Sequence, residues 1–132
     1  VVGDEAAVGD LSNAARSPIE VVRRRAMDAL VAVLEAGHTC AVFPISSLTS
    51  HADEYIRRSA ARALASTAAA GRTTREITDA LVTLSRHEDE EVRRTAGSAL
   101  LSGVGSPDII EGLAHHSDED IRRAAAAALC FQ

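Results

Sequence analysis

A nine-residue phrase, [Val/Ile]-Arg-Arg-x-Ala-x-x-Ala-Leu, occurs four times in this chain. The copies begin at Val22, Ile56, Val92 and Ile121, so their starts are separated by 34, 36 and 29 residues. Self-similarity at that period marks a stacked array in which each unit buries its apolar face against its neighbours. Within each copy the apolar positions fall at i, i+4, i+7 and i+8, as in Ile56, Ala60, Ala63 and Leu64. At about 100° per residue these share one face, so each phrase predicts an amphipathic helix.

The flanking residues supply starts and stops. Ser17-Pro18-Ile19-Glu20 reads as a capping box with proline at the first helical position. The other copies follow Ala52-Asp53-Glu54, Glu88-Asp89-Glu90-Glu91 and Ser117-Asp118-Glu119-Asp120, acids suited to a positive helix end. Gly37, Gly71 and Gly103 are placed to end the first three long helices. Ahead of each phrase lies an apolar pair at i, i+3: Leu11/Ala14, Ile45/Leu48, Leu81/Leu84 and Ile110/Leu113. Each pair predicts a second, shorter helix, with Pro44 starting or kinking the one in unit two. The chain is thus expected to be one all-α domain over residues 1–132. Its four helical hairpins cover about 4–37, 38–71, 72–104 and 105–132, and unit one, with its weakly apolar short helix, acts as a cap.

Composition fits close-packed helices. The chain is 46% apolar, yet has two Phe, one Tyr and no Trp. Its net charge of −5 argues against a general nucleic-acid binder. No run of about 18 apolar residues exists to span a membrane. Cys40 and Cys130 lie in units two and four, too far apart for a disulfide. Both read as reduced packing residues, which favours a reducing compartment without naming one.

The phrase preceded by Asp-Glu, together with Val42-Phe43-Pro44-Ile45-Ser46-Ser47-Leu48 as a short helix with a central proline, resembles the HEAT repeat family. The likeness is greatest to its short bacterial and phycobilisome-lyase-like variants, and it covers essentially the whole chain. It implies a right-handed α-solenoid, with the long helices lining the concave face.

The paired arginines separate on a helical wheel. The first of each pair (Arg23, Arg57, Arg93, Arg122) lies beside the buried Leu and can reach the turn carboxylates Asp53, Asp89 and Asp118. The resemblance implies that such contacts form an inter-repeat ladder. The second of each pair points outward. On a concave face Arg24, Arg58, Arg94 and Arg123 form a row, with Arg25 and Arg62 alongside. Ala61, Ala65, Gly97, Ser98, Ala126 and Ala127 leave a shallow trough beside it. Two readings of that row stand: contact with a ligand, or a solvated row balanced by Glu20, Glu54, Glu91 and Asp120. Phe131 beside the apolar last helix is a further anchor, suited to end-to-end association. His51, His87 and His116 recur one per turn and cannot converge on a metal, so they read as turn caps or surface residues.

No phosphate loop or activated nucleophile is present. The expectation is a non-catalytic scaffold with a protein or peptide partner and no cofactor. Two alternatives come with the resemblance. One is a bilin lyase or isomerase component, which the scarcity of aromatics disfavours; the other is a nucleic-acid-binding HEAT-like protein.

Overall fold

The computed structural model describes residues 5–71, 74–104 and 106–130. Among these, eight α-helices form four hairpins and no strand occurs. The hairpins pair α1 (Glu5–Ala14) with α2 (Glu20–Glu35), and α3 (Val42–Leu48) with α4 (Glu54–Ala69). They continue with α5 (Arg75–Leu84) on α6 (Glu90–Ala99), and α7 (Pro107–Leu113) on α8 (Glu119–Cys130). The long helix α4 lies between α2 and α6 and packs closely on both, while the short helices touch along their own row more lightly. The result is an α-solenoid.

Each phrase contributes the same positions to the core. Its first alanine is buried in all four units: Ala26, Ala60, Ala96 and Ala125. Small side chains there let adjacent helices approach, and the leucine that closes the phrase fills the space between them. Leu30, Leu64 and Leu100 have no solvent contact. Truncating any of these to alanine should cost about 2–5 kcal/mol through lost transfer energy and an unfilled cavity. The short helices add Ile45, Leu48, Leu81, Leu84, Ile110 and Leu113 from the other side. In unit one the corresponding Leu11 and Ala14 are only half-buried.

Helix ends depart from the sequence expectation in two places. α2 begins at Glu20, and its cap position, Ile19, makes no side-chain bond. The Ser17 hydroxyl instead accepts from the Ile19 amide at 3.1 Å, a local turn that displaces the expected capping box. Gly103 does not stop the third long helix, because α6 passes into a π-helical turn over Leu100–Val104 that contains it. Gly37 and Gly71 do end α2 and α4, at φ of 98° and 85°. After α2 the amides of Gly37 and His38 bond the carbonyls of Leu34 and Val33, closing the helix through a residue that needs left-handed backbone. Pro44 sits in the first turn of α3, where its missing N–H has no helical acceptor to serve. At the start of α7 Ser106 Oγ accepts from the Ile109 amide, with proline next in line.

Candidate functional site

The tight turns of the second, third and fourth hairpins are each built from a histidine and an aspartate two residues apart. Asp53 and Asp89 hold extended backbone before α4 and α6, and Asp118 immediately precedes α8. One carboxylate oxygen, Oδ1, accepts from the amide two residues on: Tyr55 at 2.8 Å, and Glu91 and Asp120 at 2.9 Å. The aspartate's own amide donates to Nδ1 of His51, His87 or His116, at 2.9 Å in each turn. An accepting Nδ1 places the proton on Nε2. In buried His116 that Nε2 donates across the stack to the Ser85 carbonyl at the end of α5.

The second carboxylate oxygen belongs to the preceding repeat. Arg23 Nε donates to Asp53 Oδ2 at 2.7 Å, Arg57 Nε to Asp89 Oδ2 at 2.6 Å, and Arg93 Nε to Asp118 Oδ2 at 2.6 Å. The same guanidiniums turn Nη1 onto a carbonyl of their own turn: Ser17 at 3.0 Å, and His51 and His87 at 3.1 Å. One planar fork therefore bonds two consecutive turns. Arg122 makes only the second of these bonds, to the His116 carbonyl at 3.0 Å, and has no carboxylate partner among the described residues. Its side chain is exposed.

The second arginines face solvent. Their side chains are 45, 34, 50 and 73% exposed for Arg24, Arg58, Arg94 and Arg123, against 16, 20 and 22% for Arg23, Arg57 and Arg93. Each pairs with the glutamate one turn earlier on its own helix: Glu20, Glu54, Glu90 and Glu119. Glu90, not Glu91, balances Arg94, because i, i+4 places it on the same side of the helix. Asp120 pairs with Arg94 from the next repeat, at 2.5 Å. Arg58 reaches across to Asp89 at 3.4 Å, so that carboxylate receives two guanidiniums. Arg24 lies 4.7 Å from the centre of the Tyr55 ring, whose hydroxyl donates to Asp28 at 2.7 Å. This stacked cluster was invisible to the repeat pattern, since Tyr55 stands outside the phrase. Arg62 is exposed, and its side chain makes no hydrogen bond or ion pair with a described residue.

Burial alone would push the Asp89 carboxyl upward. Hydrogen bonds from Arg57, Arg58 and the Glu91 amide outweigh it and hold the group at about 2. Asp118 is held below the ordinary carboxylate value chiefly by the Arg93 hydrogen bond. In Asp53, burial opposes ionisation, but Arg23 and the Tyr55 amide prevail. His51 is lowered by burial and by the nearby charge of Arg23.

Shallow grooves run between the long helices. The one between α4 and α6 has a volume of about 600 Å³ and is lined by Ala65, Ser66, Ala69, Arg94 and Ser98 among others. Of the small residues expected in the trough, Ala65 and Ser98 line it. Ala61 is buried instead, whereas Gly97 lines the neighbouring groove between α6 and α8 beside Ile121, where an added Cβ would stand 3.1 Å from the isoleucine side chain. Ala126 and Ala127 are exposed on α8. Cys40 is half-buried against the core, whereas Cys130 is exposed and packs no interior; among the described residues neither forms a disulfide. Phe131 lies outside the described residues. Among the described residues no three His, Cys, Asp or Glu are grouped to hold a metal ion, and no helix is long and apolar enough to cross a membrane.

Stacked helical hairpins joined by turn-to-turn arginine bonds define a helical-repeat solenoid. The chain belongs to the HEAT repeat family, whose model, described as HEAT repeats, matches residues 41–130. Among solved structures it is similar to a designed armadillo repeat protein in complex with the peptide (KR)4. That likeness has a TM-score of 0.55 at 23% identity and covers 94% of this chain and 63% of that one. It is also similar to an engineered protein, with a TM-score of 0.52 at 23% identity, covering 92% and 60%. The chain thus spans less than two thirds of the length of either. No curated protein matches its sequence.

Proposed function

We propose that this chain is a non-catalytic protein–protein interaction scaffold, a module or subunit of a larger assembly, which holds a protein or peptide along the face of its long helices. The observation that carries this reading is the open groove between α4 and α6, floored by small side chains and edged by Arg94. Contacts are assigned to Arg24, Arg58, Arg62, Arg94 and Arg123, with Phe131 as a further anchor. Arg62 leads this group, because its charge has no partner among the described residues to give up on binding. The other four present alternating positive and negative charge with their glutamates. Such a surface suits a polypeptide carrying both signs better than a uniformly anionic nucleic acid. The designed armadillo repeat protein holds a peptide, and an extended peptide is the ligand shape that a shallow groove accepts. The turn carboxylates and histidines are engaged in capping and inter-repeat bonds, which supports a structural rather than catalytic use of them. The exposed side of α8 offers a second surface for association.

The test is comparative retention. Immobilised wild-type chain and an Ala69→Trp/Ser98→Trp variant are offered the same cell extract. Both positions are exposed, so the variant fills the groove without disturbing the core. Polypeptides held by the wild type and lost by the variant are expected. Equal retention by both would contradict the groove as the binding surface.

A further inference from the structure

One residue breaks the charge pattern of the long helices. The seventh position of the phrase is Asp28, Arg62, Ser98 and Ala127 in the four units, so α4 alone carries a cation there. One turn earlier on α4 stands Arg58, and like charges at i, i+4 repel. No acid among the described residues compensates Arg62, whose side chain is exposed. A charge that disfavours its own helix and serves no contact of the fold marks a place where a ligand is served instead. The surroundings specify the ligand's chemistry. Arg62 lines a cavity of about 290 Å³ between α2 and α4, together with Arg24, Arg58 and Tyr55. The acids of that cavity, Asp53 and Glu54, are already bonded to Arg23 and Arg58. Across the groove Asp28 receives the Tyr55 hydroxyl at 2.7 Å and forms no ion pair with Arg62. Arg24 lies over the Tyr55 ring and pairs with Glu20, which leaves Arg62 as the cation with no acid to give up.

We propose that the groove between α2 and α4 holds an acidic side chain of the bound polypeptide, with its carboxylate on the Arg62 guanidinium and its stem against the Tyr55 ring. This rests on the reading of the long-helix face as a polypeptide-binding surface, and it adds which residue type the partner presents. A guanidinium fork matches a carboxylate in shape as well as charge. A nucleic acid is the poorer occupant, since its successive phosphates call for a run of uncompensated cations. The arginines of the row are instead each balanced by a glutamate of their own helix.

The probe is the peptide (Gly-Glu)4, titrated into the 15N-labelled full chain at low salt and followed by its amide and arginine Nε signals. Saturable shifts centred on Arg62 and Tyr55 are expected, with binding at least fivefold weaker for R62A. R75A, which removes the same charge from α5, should match wild type, and the neutral peptide (Gly-Gln)4 should bind at least fivefold more weakly. Equal binding of (Gly-Glu)4 to wild type and R62A, or no binding at millimolar peptide, would overturn the proposal. So would an oligothymidylate of equal charge that displaces the peptide from Arg62. Equal binding of both peptides, lost in the Ala69→Trp/Ser98→Trp variant, would overturn the acidic preference and leave the long-helix reading standing. That reading falls on the retention experiment alone.

Discussion

The two arginines of each pair are adjacent in sequence and differ in almost everything else. Arg57 is four-fifths covered, bonds two successive turns and holds a carboxylate that is itself buried. Arg94 is half exposed and meets two exposed acids. A rotation of about 100° around one helix separates a group that ties repeats together from one that faces solvent. Arg58 falls between them, because it borrows Asp89 from the first row while pairing with Glu54 in the second. Residue type thus says little here; position on the wheel decides what a guanidinium can do.

The largest effect should come from Asp89→Ala, which removes the cap of α6 and strands two guanidiniums. Urea denaturation should show a loss of about 3 kcal/mol or more. Arg57→Ala should cost about 2–3 kcal/mol and Arg58→Ala under about 1 kcal/mol, since the latter is a more exposed and longer contact. A comparable loss for both would erase the distinction between the rows. Smaller again is Arg122→Ala, expected within about 0.5 kcal/mol of wild type despite its place in the first row, because no carboxylate among the described residues meets it. Arg123→Ala should be equally mild, an exposed i, i+4 pair being worth about 0.3–0.5 kcal/mol.

Acid sharpens the same contrast. Asp89 ionises at about 2 in the fold against an ordinary 3.8, so the folded state binds its proton less readily than the unfolded chain. Its contribution is present above pH 3.8 and lost as pH falls from there toward 2. D89N keeps the cap without the charge. The stability gap between wild type and D89N should be constant near neutrality and close between pH 4 and 2. His51, lowered by burial, adds a loss of the same sign as pH falls through its ordinary 6.5.

The hairpins were legible because the phrase repeats its apolar spacing four times and every hydrophobic position is a local matter of helix face. The turn histidines were legible as caps or surface groups, one per turn, but not the burial of His116 against the Ser85 carbonyl of the neighbouring unit. What stayed hidden depends on neighbours across the stack. A wheel cannot show that Ile121 of the next unit packs against Gly97. The Ser17-Pro18 start matched a capping pattern, yet the chain turns two residues later, at Glu20. The π turn at Leu100–Val104 left no composition signal apart from Gly103, which read as a stop. The Arg24–Tyr55–Asp28 cluster needs two helices to exist at all.

The central claim is that the first-row arginine and the next repeat's aspartate act as one unit. A double-mutant cycle of R57A, D89A and R57A/D89A, followed by urea denaturation, tests it directly. A coupling energy above about 1.5 kcal/mol is predicted, and effects that add within about 0.5 kcal/mol would contradict it.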